Sequence, residues 1–292
     1  HCFARVGRVG NPSDGYGGRV IAMTVPQLET TVSVQLADRW EYAGTELLEA
    51  TVAALRKRRA ELVEQPAAFT FETSIPQQVG LSGSSAIIMA ALRALARRAE
   101  FTWDLVELAR TTLEVETHVL GWAAGPQDRV VQAFEGVLDM DFSTPWQAHA
   151  YHRLEVDKLP PLFVAWHQSP GQPSDVAHTN VRQRWLDGDP QVTTVMTRFA
   201  ELAIAGRDAL DGGTACRDWP PLMNEAFELR RQIWTITDVD TSLVETGQAV
   251  GAGVAFAGSG GAVVGSLADP EQLDAAAQAY REIDAGFLVL HQ

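Results

Sequence analysis

The chain has 292 residues, 46% hydrophobic and 21% charged, with 23 basic against 37 acidic side chains and a net charge of −14. That length fits two domains of ordinary size better than a single core, and the balance excludes a disordered chain and a membrane-embedded one. The acidity, with no basic helix or aromatic-basic stripe to offset it, excludes nucleic acid as an expected partner.

HCFARVGRVG opens the chain with no signal-peptide hydrophobic stretch, and no later apolar run reaches the roughly 20 residues of a membrane span. No membrane partner is expected, a cytoplasmic location is, and His1 in place of Met is read as a truncated start. FARVGRV, RVIAMTV, TTVSVQL and AFTFETS each alternate as strands do. Between the last two, TELLEATVAALRKRRAELVE carries Leu47, Leu48, Val52, Leu55 and Leu62 at helical spacing. Helices are expected near 84–99, 103–120 and 127–134, then a strand at GVLDMDFS. The polar, proline-bearing STPWQAHAYHRLEVDKLPP marks a boundary between domains at 1–144 and 145–292. Beyond it come a strand, LFVAWHQ, and helical stretches at HTNVRQRWLDGD, PQVTTVMTRFAELAIAGRDAL, LMNEAFELRRQIW and TSLVETGQAV. GVAFAGSGGAVVGSL reads as a glycine turn between two strands, followed by a helix at 270–282 and the strand GFLVLH. Each half pairs a mixed or antiparallel sheet with helices, an α+β arrangement.

Three glycine-rich turns stand out: GNPSDGYGG at 10–18, GLSGSSA at 80–86 and GSGG at 258–261. In the second, Ser82, Gly83, Ser84 and Ser85 run straight into an apolar helix, so the free N–H groups of a helix start face the turn. Two readings stand at this point: a phosphate cradle and a serine-capped turn. A Walker A loop is excluded, because no Gly-Lys-Ser/Thr follows and only Lys57 and Lys158 are lysines. Asp128 in WAAGPQDRVVQAF sits where a helix starts. It is either an ordinary first-turn carboxylate or an acceptor for a substrate hydroxyl, kept ionised by a nearby arginine. Cys2 and Cys216 are too few for a disulfide framework or a Cys-rich zinc site, and His118, His167 and His178 show no metal-ligand spacing.

The order and spacing of these stretches resemble the motifs of the GHMP kinases. IPQQVGLSGSSA resembles that family's phosphate motif, with an extra small residue turning Gly-Leu-Gly-Ser-Ser-Ala into Gly-Leu-Ser-Gly-Ser-Ser-Ala; RVGRVGNPSDGYGG resembles the substrate motif and FAGSGGAVV the C-terminal glycine motif. GNPSD, AAGPQDRVVQ, DMDFS and VRQRWLDGD narrow the resemblance to the glucuronokinases, which are sugar 1-kinases. Arg19, where relatives often carry lysine, and Pro126, before the aspartate, depart from the pattern.

The resemblance implies a two-lobed fold with the active site in the cleft, ATP and Mg²⁺ as cofactors, and phosphorylation of the anomeric hydroxyl of a sugar, foremost D-glucuronate. Kinases for another small sugar, and a non-catalytic sugar- or nucleotide-binding regulator, are the alternatives. It implies that Asp128 faces the accepting hydroxyl, as base or as orienting group, with Arg5 beside it. The N–H groups of Gly80, Leu81, Ser82, Gly83, Ser84 and Ser85 would hold the triphosphate, backed by Gly258, Ser259 and Gly260. Ser85, or Ser84 beside it, would reach Mg²⁺ and the phosphates. The relatives' metal-binding glutamate stands eleven residues before the aspartate; that position is Thr117 here, with Glu116 next to it. Asp14 is expected to contact sugar hydroxyls, with Gly260 also on the substrate side. A uronate carboxylate calls for an arginine fork, for which Arg129 and Arg182 are favoured over Arg184, Arg230 and Arg231. Trp185 is read as core.

Overall fold

The computed structural model describes residues 1–168 and 174–290; the His178 side chain lies outside the described residues. β1 (Cys2–Val9) lies antiparallel to β2 (Arg19–Leu36), an 18-residue strand that unites the predicted strands RVIAMTV and TTVSVQL. Pro26 suggested a break between them. The register explains its presence: Phe3 faces Glu29 and the next residue, Ala4, faces Val25, so residues 26–28 bulge out where a missing N–H costs no ladder bond.

The long strand organises the first sheet. Its far half pairs with β3 (Ala67–Thr73), its start pairs with β4 (Val137–Asp141), and β4 pairs with β5 (Tyr151–Arg153). Residues 151–153 lie past the expected boundary at 144, so the chain crosses to the second sheet between 153 and 162. Helices α1 (Glu46–Arg58), α2 (Gly83–Arg98), α3 (Leu105–Glu114) and α4 (Gln127–Phe134) belong to this half. α3 runs on into a π-helical turn, Val115–Val119.

The second sheet is antiparallel throughout. β6 (Leu162–His167) lies between β8 (Ala262–Ser266) and β9 (Ala285–Val289), with β7 (Gly253–Phe256) outside β8. Its helices are α5 (Ser174–Leu186), α6 (Pro190–Asp211), α7 (Ala215–Ile233), α8 (Asp238–Ala249) and α9 (Leu273–Glu282). α7 begins earlier than LMNEAFELRRQIW suggested, because Pro220 and Pro221 lie within it. Trp219 anchors that stretch: it is wholly buried and donates Nε1–H to the Gly206 carbonyl at 2.9 Å.

One hydrophobic core joins the halves, with Val6, Ile21 and Leu92 in the same cluster as Phe199, Leu202, Trp219 and Val264. α6 comes close to the first sheet at Gly206, where a Cβ would lie 2.9 Å from Val9 Cγ2. Arg207 on α6 adds an ion pair to the buried Asp139 of β4, which also accepts from Arg19 Nε at 2.7 Å. Phe163, Phe256 and Tyr280 form a smaller core behind the second sheet. The expected α+β fold of two sheets with helices is thus the fold observed. Among the described residues no helix is long and apolar enough to cross a membrane.

Candidate active site

The 80–86 turn delivers α2 with its first N–H groups uncapped. Ser82 occupies the N-cap position but makes no side-chain bond to the helix. Its φ of 62° is left-handed, a conformation that costs a non-glycine residue roughly 1–2 kcal/mol, and its hydroxyl donates instead to Asp128 Oδ2 at 2.8 Å. The serine-capped turn is therefore not what forms. The helix start presents oriented donors and the positive end of its dipole to the space in front of it.

The C-terminal glycine turn supports this loop from behind. A Cβ on Gly258 would collide with the Gly80 carbonyl oxygen, and one on Gly80, whose φ is 74°, would lie 2.7 Å from the Gly260 carbonyl oxygen. Glycine on both sides lets two backbones touch. Asp240 accepts the Gly261 N–H at 2.8 Å, and Arg230 donates to the Gly258 carbonyl at 2.7 Å. Arg230 is buried between Trp234 and Phe256, and burial lowers its pKa to about 10.

Asp128 stands in the first turn of α4 and accepts four hydrogen bonds, three on Oδ2 and one on Oδ1. Arg5, projecting from β1, grips it with a fork, Nε to Oδ1 at 2.6 Å and Nη2 to Oδ2 at 2.7 Å. Arg129 Nη1 adds 3.2 Å to Oδ2, beside the Ser82 bond. Burial alone would raise this carboxyl, but Arg5 and Arg129, helped by Ser82, outweigh it and hold the pKa at about 2. Arg5 Nη1 also donates to the carbonyls of Gly80 (2.8 Å) and Ala257 (2.7 Å). A single guanidinium thus ties the aspartate, the 80–86 turn and the second sheet together.

Glu116 completes the network. It is buried, accepts from Arg129 Nε at 2.6 Å and from the Ser84 hydroxyl at 3.0 Å. It stands one residue further from Asp128 than the relatives' spacing implies, and the π turn at Val115–Val119 holds the extra residue. Thr117, at the relatives' spacing, donates to the Leu113 carbonyl. Among the described residues no three His, Cys, Asp or Glu side chains converge on a metal position. Ser84 and Glu116 nevertheless form a hard oxygen pair on the wall of the larger cavity, a donor set that fits Mg²⁺.

Two cavities meet at this network. The larger, about 640 Å³, is lined by residues of the 80–84 turn, by Ser84, Glu116 and Trp122, and by Thr45, Leu47, Phe71 and Ile87. The smaller, about 140 Å³, is lined by Asn11, Asp14, Tyr16, Gln127, Arg182 and Gly258. Arg5, Ala123, Ala124, Asp128, Arg129 and Ser259 line both. In the small cavity Asp14 accepts the Gln127 N–H at 3.1 Å through Oδ2. Burial, then the charge of Asp128, pushes its carboxyl up to about 7 against the pull of Gln127, Arg129 and Arg5. Gly125 leaves room for that carboxylate, since a Cβ there would collide with it unless Asp14 moved. Arg182 donates to the Gly15 carbonyl at 2.7 Å and lies over the Tyr16 ring, whose edge packs on Trp185. Trp185 itself lines neither cavity.

Most of the residues singled out from the sequence converge here. Three sit differently from expectation. Ser85 is wholly buried, with its hydroxyl on Gln132 Oε1 at 2.7 Å, and lines neither cavity; Ser84 faces the large one. Arg129 lines both cavities, but its donors are engaged by Glu116, Asp128 and the Gly125 carbonyl, so it is not an open fork for a substrate carboxylate. Gly260 lines neither cavity and instead backs Gly80. Arg184 pairs with Asp189, half-buried, and Arg231 with Glu228 on the surface. Sequence reasoning did not single out Asn11, Tyr16 or Gln127. Asn11 and Tyr16 lie inside the quoted GNPSDGYGG, and Gln127, which donates to Asn11 at 2.7 Å, precedes Asp128.

Residues 46–136 match the GHMP kinases N terminal domain. Over 301 aligned residues the chain is 33% identical to glucuronokinase 1 of Arabidopsis thaliana, covering 90% of this chain and 83% of that protein. Its fold matches that of Lactococcus lactis galactokinase complexed with galactose at a TM-score of 0.81 and 15% identity, over 99% of this chain and 91% of that one. It also matches Methanococcus jannaschii mevalonate kinase at a TM-score of 0.75 and 14% identity, over 99% and 96% of the two chains.

Proposed function

The chain belongs to the GHMP kinase family as a glucuronokinase-like sugar kinase, and on that premise we propose that it transfers the γ-phosphoryl group of Mg·ATP to the anomeric hydroxyl of D-glucuronate. The observation that carries the proposal is the placement of Asp128, forked by Arg5, in the wall common to a large cavity at the phosphate turn and a small one bearing Asp14, Tyr16 and Arg182.

The triphosphate lies against the N–H groups of residues 80–84, and the large cavity is of the size that nucleotide-scale ligands fill. Ser84 and Glu116 would hold Mg²⁺, which would supply positive charge at the phosphate oxygens. The sugar occupies the small cavity, with its hydroxyls on Asp14 and its carboxylate on Arg182. A shared wall brings the acceptor hydroxyl up to the phosphate end of the larger space, which is the alignment phosphoryl transfer chiefly requires. Asp128, held at about 2, is a weak base. It accepts a hydrogen bond from the anomeric hydroxyl and orients it; as the sugar oxygen bonds to the γ-phosphorus and the bond to the ADP oxygen breaks, the hydroxyl proton passes to an oxygen of the transferred phosphoryl group. Both substrates are small and water-soluble, which fits the cytoplasmic location expected from the sequence.

Product analysis by phosphorus NMR after incubation with Mg·ATP and a panel of uronic acids and neutral sugars tests the reading. The expected product is glucuronate 1-phosphate, with kcat/KM for glucose lower by about 10-fold or more, because an arginine placed for a carboxylate is left unpaired by a neutral sugar. Failure to phosphorylate any uronic acid would remove D-glucuronate as the substrate.

A further inference from the structure

The 80–86 turn holds a side chain, Ser82, that serves neither its own helix nor the cavities as a simple lining group. Ser82 stands at the N-cap position of α2, with φ at 62°, a region that favours glycine. A serine here would ordinarily turn its hydroxyl onto the N–H groups of its own helix. This one does not. The hydroxyl crosses to α4 and donates to Asp128 Oδ2 at 2.8 Å, on a carboxylate whose other partners are all arginines.

The arginines fix Asp128 from two directions, Arg5 from β1 and Arg129 from the same helix turn. Neither is attached to the phosphate turn by the chain, although Arg5 reaches the Gly80 carbonyl. Ser82 is the one donor to the carboxylate that belongs to the turn itself, among the described residues. It ties the group facing the sugar hydroxyl to the backbone facing the phosphates. A side chain kept in a backbone conformation that disfavours it is a reason to look for a task. Here the task is geometric: the hydroxyl bonds the carboxylate directly to the phosphate turn.

We infer that Ser82 is a positioning residue, whose hydroxyl registers Asp128 against the phosphate turn so that the acceptor hydroxyl and the transferred phosphoryl group stay in line. The inference rests on the role given to Asp128 in the proposed function.

Ser82→Gly and Ser82→Ala, each alone and each combined with Asp128→Asn, test it through sugar and ATP kinetics and thermal melting. Both single variants keep the backbone N–H, and Gly also relieves the left-handed strain. The expected result is a fall in kcat of about 10- to 100-fold in both, since a small misplacement of a reacting group has effects of that order, with little change in KM for either substrate. Ser82→Gly is expected to melt no lower than the parent. In the Asp128→Asn background neither change should lower kcat further, because Ser82 acts through that carboxylate. Near-parental kcat in Ser82→Gly overturns the inference, as does a second, multiplicative loss on top of Asp128→Asn. A loss confined to Ser82→Ala points to backbone conformation instead of the hydroxyl and overturns it too. Near-parental turnover in Asp128→Asn alone would remove the role of Asp128 itself. A strongly impaired Asp128→Asn beside an unimpaired Ser82→Gly would remove only the inference.

Discussion

The large cavity is lined by the whole 80–84 turn at the start of α2, with Glu46 and Glu116 beside it, whereas the small cavity has none of that turn in its lining and presents Asp14, Tyr16 and Arg182. The difference matches what the proposed function asks each side to recognise. Backbone amides at a helix start suit a phosphate, which every reaction of this kind shares. Side chains discriminate, and each can be changed without rebuilding the loop that carries it. The wall between them, Arg5 with Asp128, belongs to both.

The largest effect should come from that wall. Arg5→Met leaves a buried carboxylate without its fork and frees the Gly80 and Ala257 carbonyls, so a stability loss of about 3–5 kcal/mol is expected, together with lost activity on every sugar. Denaturant unfolding and kinetics on two sugars would measure it; loss on one sugar alone would break the notion of a common wall. Next in size is Gly258→Ala, which forces the two glycine turns apart. A kcat loss of about 100-fold is expected, equal for all sugars, if the large cavity is set by backbone contact. Arg182→Gln should divide the two sides cleanly. For glucuronate kcat/KM should fall about 10- to 100-fold, while KM for ATP and the rate on a neutral hexose stay close to the parent's.

The smallest effect is in pH dependence, where the two carboxyls run in opposite directions. Asp14, pushed up to about 7, is protonated below that pH, so sugar KM should improve as pH rises through about 7 and Asp14→Asn should flatten that profile. Between its ordinary value of 3.8 and about 7 the folded protein binds a proton that the unfolded chain does not, so the stability Asp14 contributes is lost as pH rises across that window. Asp128, lowered to about 2, contributes stability above 3.8 that is lost as pH falls toward 2. Melting curves of the parent and of Asp14→Asn at several pH values would show the first slope and its disappearance.

The glycine turns were legible in the sequence because their requirement is local: where two backbones touch, only one residue type fits. Asp128 and Arg5 became legible through their place in an ordered set of motifs. What stayed hidden depends on distant partners. Ser85 and Ser84 look interchangeable in GSSA, yet Ser85 shares a helical stripe with the wholly buried Met89 and Leu92, and that period points it inward. Arg129 read as an open fork because the position of Glu116 depends on a π turn that no residue pattern announced. Pro26 hid the length of β2, Pro220 and Pro221 hid the start of α7, and β5, three residues at the sheet edge, is too short to show a period.

The close seat of α6 on the first sheet, at Gly206 and through Arg207 to Asp139, bears on how the molecule comes apart. Two sheets that each owned a separate core could melt in sequence, one half outlasting the other. With Phe199, Leu202 and Trp219 packed into the same cluster as Val6 and Ile21, neither half keeps its interior dry alone. A single cooperative transition is the result to look for in calorimetry, and the slowest-exchanging amides should then be found in β1, β2 and α6 together.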